Sequence, residues 1–237
     1  MKLKISVLLI AILMLFISAD RYDADSFVVY SVDPKKQDLK LYWKKENDER
    51  FGSIQNLKTW IENKGMVLDF AMNAGMYNKD NAPQGLYIEN KKTLTSLDAG
   101  TAAGNFYLKP NGVFYITTAK VAKIATTEEF KNDGKIQYAT QSGPMLVIDG
   151  KIHAAFKEGS ANLNIRNGVG ILPDGKVVFV LSKKEINFYD FAHYFKELGC
   201  KNALYLDGFV SRAYVPSKKW TQTDGDFGVL FAVTKKR

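Results

Sequence analysis

The chain has 237 residues, with 33 Lys and Arg against 25 Asp and Glu, a formal net charge of +8 and one cysteine. A lone cysteine excludes an intrachain disulfide, so stability has to come from the core, which a chain of this length can build. The lysines are scattered as pairs (35–36, 44–45, 183–184 and others), and no basic helix carries interleaved aromatics, so no nucleic-acid partner is expected.

Lys2 and Lys4 precede an apolar run from Ile5 to Ile17, and Ser18-Ala19-Asp20 follows. A basic start, a short apolar stretch and small residues describe a secretory signal peptide over residues 1–19. The run is short for a spanning helix, which needs about 20 residues. The expectation is an exported chain, periplasmic or secreted, without stable membrane insertion after removal of the signal. Residues 20–237 contain no linker, low-complexity tract or repeat, so one domain is expected.

Phe27–Val32 and Leu39–Trp43 are short apolar-aromatic runs expected to pair as strands. Ser53 is placed to cap a helix in which Ile54, Leu57 and Ile61 share a face. Val67–Met72 reads as a strand ending at Asn73. Val113–Thr117, Met145–Ile148 and Val177–Leu181 read as later strands, with type I′-compatible turns at Asn111-Gly112, Asp149-Gly150 and Asp174-Gly175. Thr126 and Glu129 form a capping-box signature for a short helix. The clearest helix runs from Phe188 to Leu198: Asn187 caps it, Gly199 ends it, and Phe188, Phe191, Ala192, Phe195 and Leu198 make a core stripe. Cys200 follows as a packed thiol, and Ala203–Leu206 is a strand ending in Asp207. The fold class is α+β: a single domain dominated by antiparallel or mixed β-sheet with a few packed helices.

Four segments put polar side chains at strand ends. They are Asn73-Ala74-Gly75-Met76-Tyr77, Gln141-Ser142-Gly143-Pro144, Asn164-Ile165-Arg166-Asn167-Gly168-Val169-Gly170 and Asp207-Gly208-Phe209-Val210-Ser211-Arg212. Together they read as one site carried by loops on a rigid scaffold. Each also has a plain structural reading. Asp207-Gly208 suits a simple turn, Asn73 a left-handed turn residue, Ser142 a turn cap, and Arg166 a tie between loop carbonyls. His153 and His193 are unclustered and read as ordinary polar residues, although 154–164 is placed to fold back over the site. There is no metal-binding motif, and no P-loop or dinucleotide fingerprint, so neither a metal nor a nucleotide cofactor is expected.

These segments, in this order, resemble the phosphodiester glycosidase family, which includes a lysosomal enzyme and many bacterial exported proteins. The matching residues are Asn73-Ala74-Gly75, Pro83-Gln84-Gly85-Leu86-Tyr87, Ser142-Gly143-Pro144, Arg166 with Gly168 and Gly170, and Asp207-Gly208 with Ser211. The likeness runs from about Phe27 to Val233. One departure bears on the substrate: Phe209 and Val210 stand where the family often has a second glycine and paired hydroxyls. The resemblance implies hydrolysis at a sugar 1-phosphodiester in a glycan or cell-surface polymer. Asp207 would then be acid, base or nucleophile, and Arg166 would grip phosphate through its planar fork. Asn73, Gln141, Ser142, Gly143, Asn167, Gly208 and Ser211 would line the substrate site. A second carboxylate is expected among Asp69, Glu158, Asp224 and Asp226. The alternative is a non-catalytic binder of anionic or phosphorylated glycans using the same cleft.

Overall fold

The computed structural model describes residues 24–207 and 210–237. The expected signal peptide and the Gly208 and Phe209 positions lie outside the described residues. In chain order the first strands are β1 (Phe27–Val32), β2 (Asp38–Tyr42), β3 (Met66–Asn73), β4 (Tyr87–Glu89), β5 (Lys92–Thr95), β6 (Gly112–Thr117), β7 (Ala122–Thr126) and β8 (Ile136–Ser142). There follow β9 (Met145–Ile148), β10 (Lys151–Ile152), β11 (Asn167–Ile171), β12 (Val177–Ser182), β13 (Ala203–Asp207), β14 (Ala213–Val215), β15 (Trp220–Thr221) and β16 (Leu230–Lys236). The two α-helices are α1 (Ile54–Asn63) and α2 (Phe188–Glu197).

The strands form three sheets, ordered β1-β12-β11-β13-β9-β10, β15-β14-β3-β16-β2 and β5-β4-β8-β6-β7. Every ladder among the described residues is antiparallel. The α+β class expected from the sequence is the observed one. The sheets meet in one apolar core. Phe179 of the first sheet packs 4.8 Å from both Phe70 and Phe231 of the second, and Phe114 of the third lies 5.1 Å from Phe231.

Each helix covers an outer face, and each forms where its cap and stripe put it. Ser53 Oγ accepts from Asn56 N–H to start α1, whose buried Ile54, Leu57 and Ile61 lie against the second sheet. Asn187 Oδ1 accepts from Asp190 N–H at 2.8 Å to start α2. Phe191, Ala192 and Phe195 are then fully buried on the first sheet, and each ring contributes about 1.5–3 kcal/mol. The helix comes so close to β11 that a Cβ on Gly170 would sit 2.6 Å from Cys200 Sγ and 2.9 Å from Phe195. That approach accounts for glycine in this strand. Cys200 is buried, and desolvation pushes its thiol up to about 12, as suits a packed rather than a reactive cysteine.

Several local expectations change in the fold. β1 pairs with β12 and β2 with β16, so the first two strands do not pair with each other. Their apolar pattern fixes strand character but not partner. Asn111-Gly112 is not a hairpin turn: Asn111 is buried with Nδ2 donating to Phe106 O, and Gly112 opens β6. Asp149-Gly150 is the expected turn, with both residues at positive φ. At Asp174-Gly175 only the glycine is left-handed. The Thr126–Glu129 box forms, with Glu129 N–H donating to Thr126 Oγ1 at 3.2 Å, but closes only a turn. Asn132, Asp133 and Gly134 follow too soon for a helix to propagate.

Candidate functional site

Strand ends from the first two sheets converge on one set of side chains. Asp207 ends β13, Asn167 opens β11, and Asn73 ends β3. Asn167 and Asp207 face each other at a register shift, where an irregular ladder re-aims side chains. Asn167 Oδ1 accepts from the Asp207 backbone N–H at 2.9 Å, and Asn167 Nδ2 donates to Asn73 Oδ1. Arg212 N–H donates to the same Asn73 oxygen at 3.1 Å.

Backbone donors at both ends of this relay fix the orientation of its two amides. The Asp207 N–H requires an oxygen from Asn167, which turns the Asn167 nitrogen toward Asn73. The Asn73 group facing it is then the oxygen, which Arg212 N–H also requires. Asn73 Nδ2 is left buried with no hydrogen-bond partner among the described residues, although Asn73 is 0% exposed. A buried donor left unpaired costs about 1–3 kcal/mol.

Around the relay lie further charged and polar groups. Asp207 is 8% exposed, and Ser211 Oγ closes its loop by donating to Asp207 O at 2.8 Å. Tyr77 is half-buried, and its phenol is pushed up to about 12 by burial, then by the negative charges of Asp207 and Asp226. Asp226 accepts from Asn81 Nδ2 at 2.5 Å, which ties the loop before β16 to the loop that follows β3. The two loops pack tightly: a Cβ on Gly228 would fall 2.7 Å from Tyr77 Cβ. Arg212 donates through Nε to both Asp224 oxygens (3.0 and 2.9 Å) and through Nη1 to Ser211 O, and its side chain keeps 34% exposure.

The structure brings Asn73, Asn167, Asp207 and Ser211 together, and it commits Arg166, Gln141, Ser142 and Gly143 to contacts within the protein; Gly208 lies outside the described residues. Arg166 does not present a fork to a ligand. It is 1% exposed, with Nε donating to Ile186 O, Nη2 to Asn162 O and Oδ1, and Nη1 to Tyr205 OH. Its guanidinium also lies 3.6 Å over the Phe188 ring. A guanidinium this deep must spend its donors on protein acceptors, so Arg166 ties the 153–166 loop to α2 and β13. Gln141 is equally committed. Its Oε1 accepts from Leu86 N–H and Asp98 N–H at 2.9 Å, and its Nε2 donates to Asp98 O and Thr127 Oγ1. Ser142 is fully buried and donates to Leu206 O, which docks the end of β8 against β13. Gly143 is a packing glycine, because a Cβ there would meet Asn111 Cβ at 2.6 Å and Phe106 O at 2.8 Å.

Of the carboxylates weighed as partners, Asp69 bonds Tyr30 and Lys235 four residues back along β3, about 13 Å from Asn73. Glu158 is exposed on the 153–166 loop, and Asp224 is held by Arg212. Asp226 is the one that shares the Tyr77 environment with Asp207. Sequence reading gave no role to Tyr77 or Arg212, although both stand in its polar strand-end segments. His153 is buried against Phe156, with Nε2 bonded to Lys109 O and Nδ1 accepting from Ala155 N–H, so it serves the loop rather than the site.

An α+β domain of three antiparallel sheets, with an aspartate, two amides and an arginine gathered where strands end, is the class this chain defines. The family model described as phosphodiester glycosidase matches residues 67–231. The uncharacterized protein YigE of Escherichia coli (strain K12) is 43% identical over 187 residues, covering 78% of this chain and 73% of that protein. The chain belongs to the phosphodiester glycosidase family. Among solved structures, the catalytic domain of zebrafish N-acetylglucosamine-1-phosphodiester alpha-N-acetylglucosaminidase, auto-inhibited by its pro-peptide, superposes with a TM-score of 0.59 at 12% identity, covering 87% of this chain and 81% of that one. A protein of Burkholderia pseudomallei K96243 assigned as exported superposes with a TM-score of 0.56 at 11% identity, covering 87% and 73%. At these identities the two structures speak for the fold.

Proposed function

We propose that the protein is an exported hydrolase that cleaves the bond between an anomeric carbon and phosphate in a sugar 1-phosphodiester. Family membership supports the reaction class. The observation that carries the site is the Asn73 amide, oriented by the relay from Asp207 and kept with an unpaired donor beside that aspartate. Such a donor suits a phosphate or sugar oxygen.

The chemistry explains why one carboxylate dominates. The C1–O bond breaks, and the phosphate leaves as a monoester with the electron pair. Water supplies the new oxygen on C1, and its proton passes to a base. A phosphate monoester is already a stable anion, so its departure calls for cations and N–H donors more than for a general acid. Arg212 and Asn73 Nδ2 supply those groups. Asp207 acts as base or nucleophile, and Asp226 is the second carboxylate beside Tyr77. Export is supported by the Lys2–Ala19 signal pattern. Among the described residues no helix is long and apolar enough to cross a membrane.

The test is a panel of sugar 1-phosphodiesters incubated with wild-type protein and with Asp207→Asn. Release of phosphomonoester by the wild type, falling ~100-fold or more in the variant, is the expected result. Tight binding without turnover by the wild type would point to the non-catalytic glycan binder.

A further inference from the structure

A second polar cleft, away from Asp207, lies along the free edge of β2. It has a volume of about 350 Å³ and runs between β2, Trp60 of α1 and the β4–β8 side of the third sheet. An adjoining lobe of about 400 Å³ shares Lys44, Lys45 and Glu89 with it.

Three observations set this cleft apart from an ordinary solvated face. Glu89 is half-buried and accepts from Tyr87 OH at 2.5 Å, yet forms no ion pair with either lysine. Burial pushes its carboxyl up from the usual carboxylate range, so it is held in the cleft at a desolvation cost. Trp43, which lines the adjoining lobe, has a buried indole Nε1–H with no acceptor among the described residues. Lys44 Nζ stands 4.4 Å over the Trp43 ring and comes no closer than 3.9 Å to Asp48, so its charge is loosely engaged.

A carboxylate, lysines and a tyrosine beside indole rings make the chemistry that recognises a sugar. Ring C–H faces lie on the aromatics, hydroxyls bond the carboxylate, and an anionic substituent meets a lysine. The cleft is also placed for it. Asn73, Leu230 and Tyr42 are register partners across β3, β16 and β2, so Tyr42 at the cleft lies two strand spacings, about 10 Å, from the strand end that carries Asn73.

We propose that the β2-edge cleft is a second saccharide subsite, taking a phosphorylated sugar unit of the same glycan whose reacting phosphodiester lies at Asp207. This rests on the proposed reaction only for the identity of the glycan. Substrates of several units would then gain affinity that single units do not.

The test uses two synthetic probes: a methyl hexose 1-phosphodiester, and an oligomer of three hexoses joined by 1-phosphodiesters. Calorimetry on the Asp207→Asn chain reads binding with turnover suppressed. Lys44→Gln with Lys45→Gln, both at partly exposed side chains, should weaken the trimer tenfold or more and leave the single unit unchanged. Glu89→Gln, which keeps the shape that Tyr87 contacts, should weaken the trimer in the same direction. On an otherwise wild-type background, the double variant should raise KM for the trimer with kcat preserved. Trimer affinity and KM unchanged in both variants would overturn the subsite, even if hydrolysis is observed. Trimer binding that depends on these residues in a protein hydrolysing neither probe would retain the subsite and remove the reaction.

Discussion

Buried polar networks of two kinds stand near the strand ends, and they differ in how they are closed. In the first kind, Arg166 and Gln141 each spend their hydrogen-bonding groups, in separate places, on loop backbone and neighbouring side chains. In the second, the Asn73–Asn167–Asp207 relay ends in a donor without a partner, beside a carboxylate and a partly exposed arginine. Burial is alike in the two. What separates an anchor from a site is saturation. A closed network holds loops in place; an open one retains hydrogen-bonding capacity for something that arrives.

The largest effect that could break this contrast is on the open side. Asp207→Asn keeps size and removes charge, so kcat should fall ~100-fold or more while substrate affinity changes far less. A folded variant turning over at nearly the wild-type rate would remove Asp207 from the mechanism. Next comes the orphan donor. Asn73→Asp keeps an oxygen for the Arg212 and Asn167 donors and deletes the Nδ2 hydrogens. A loss in kcat/KM on the order of 100-fold is expected if Nδ2 bonds a phosphate oxygen that gains charge in the transition state. An unchanged kcat/KM with an intact fold would mean the donor faces no substrate.

On the closed side the expectation reverses. Arg166→Lys preserves charge but cannot serve Ile186, Asn162 and Tyr205 at once. Stability should drop by about 2–3 kcal/mol, seen as a lower Tm, with kcat per folded molecule within about twofold of wild type. A large loss of kcat with Tm unchanged would return Arg166 to the phosphate.

Strand character, the two helices and their caps were legible in the sequence because they are local. The Phe188–Phe195 stripe and Asn187 lie within one element, and so do Ser53 and Ile54. Partners were not legible, since β1 and β2 carry the same apolar pattern wherever they pair. Within the site, strand ends singled out Asn73, Asn167, Asp207 and Ser211. The same signal also chose Arg166 and Gln141, whose acceptors Asn162, Ile186 and Asp98 come together only in the folded chain. Tyr77 and Arg212 went unassigned for the converse reason: what marks them is Asp226 and Asp224, more than ten residues away in each case.

The smallest predicted effect concerns the 153–166 loop, whose other anchor is His153. Its Nε2–H donates to Lys109 O and its Nδ1 accepts from Ala155 N–H, an arrangement only the neutral imidazole can make. Burial accordingly lowers its pKa below the ordinary value near 6.5. The unfolded chain therefore takes up this proton first as pH falls. The stabilisation is complete above about pH 6.5 and is lost progressively below it, down to the folded-state pKa. Carboxylates add their own acid sensitivity at lower pH, so the informative quantity is a difference between proteins. Tm measured from pH 7.5 to 5 should fall more steeply for wild type than for His153→Gln, which cannot titrate in that window. Parallel Tm curves would mean that protonated His153 is accommodated in the folded loop, and that this anchor is open in the sense that Arg166 is closed.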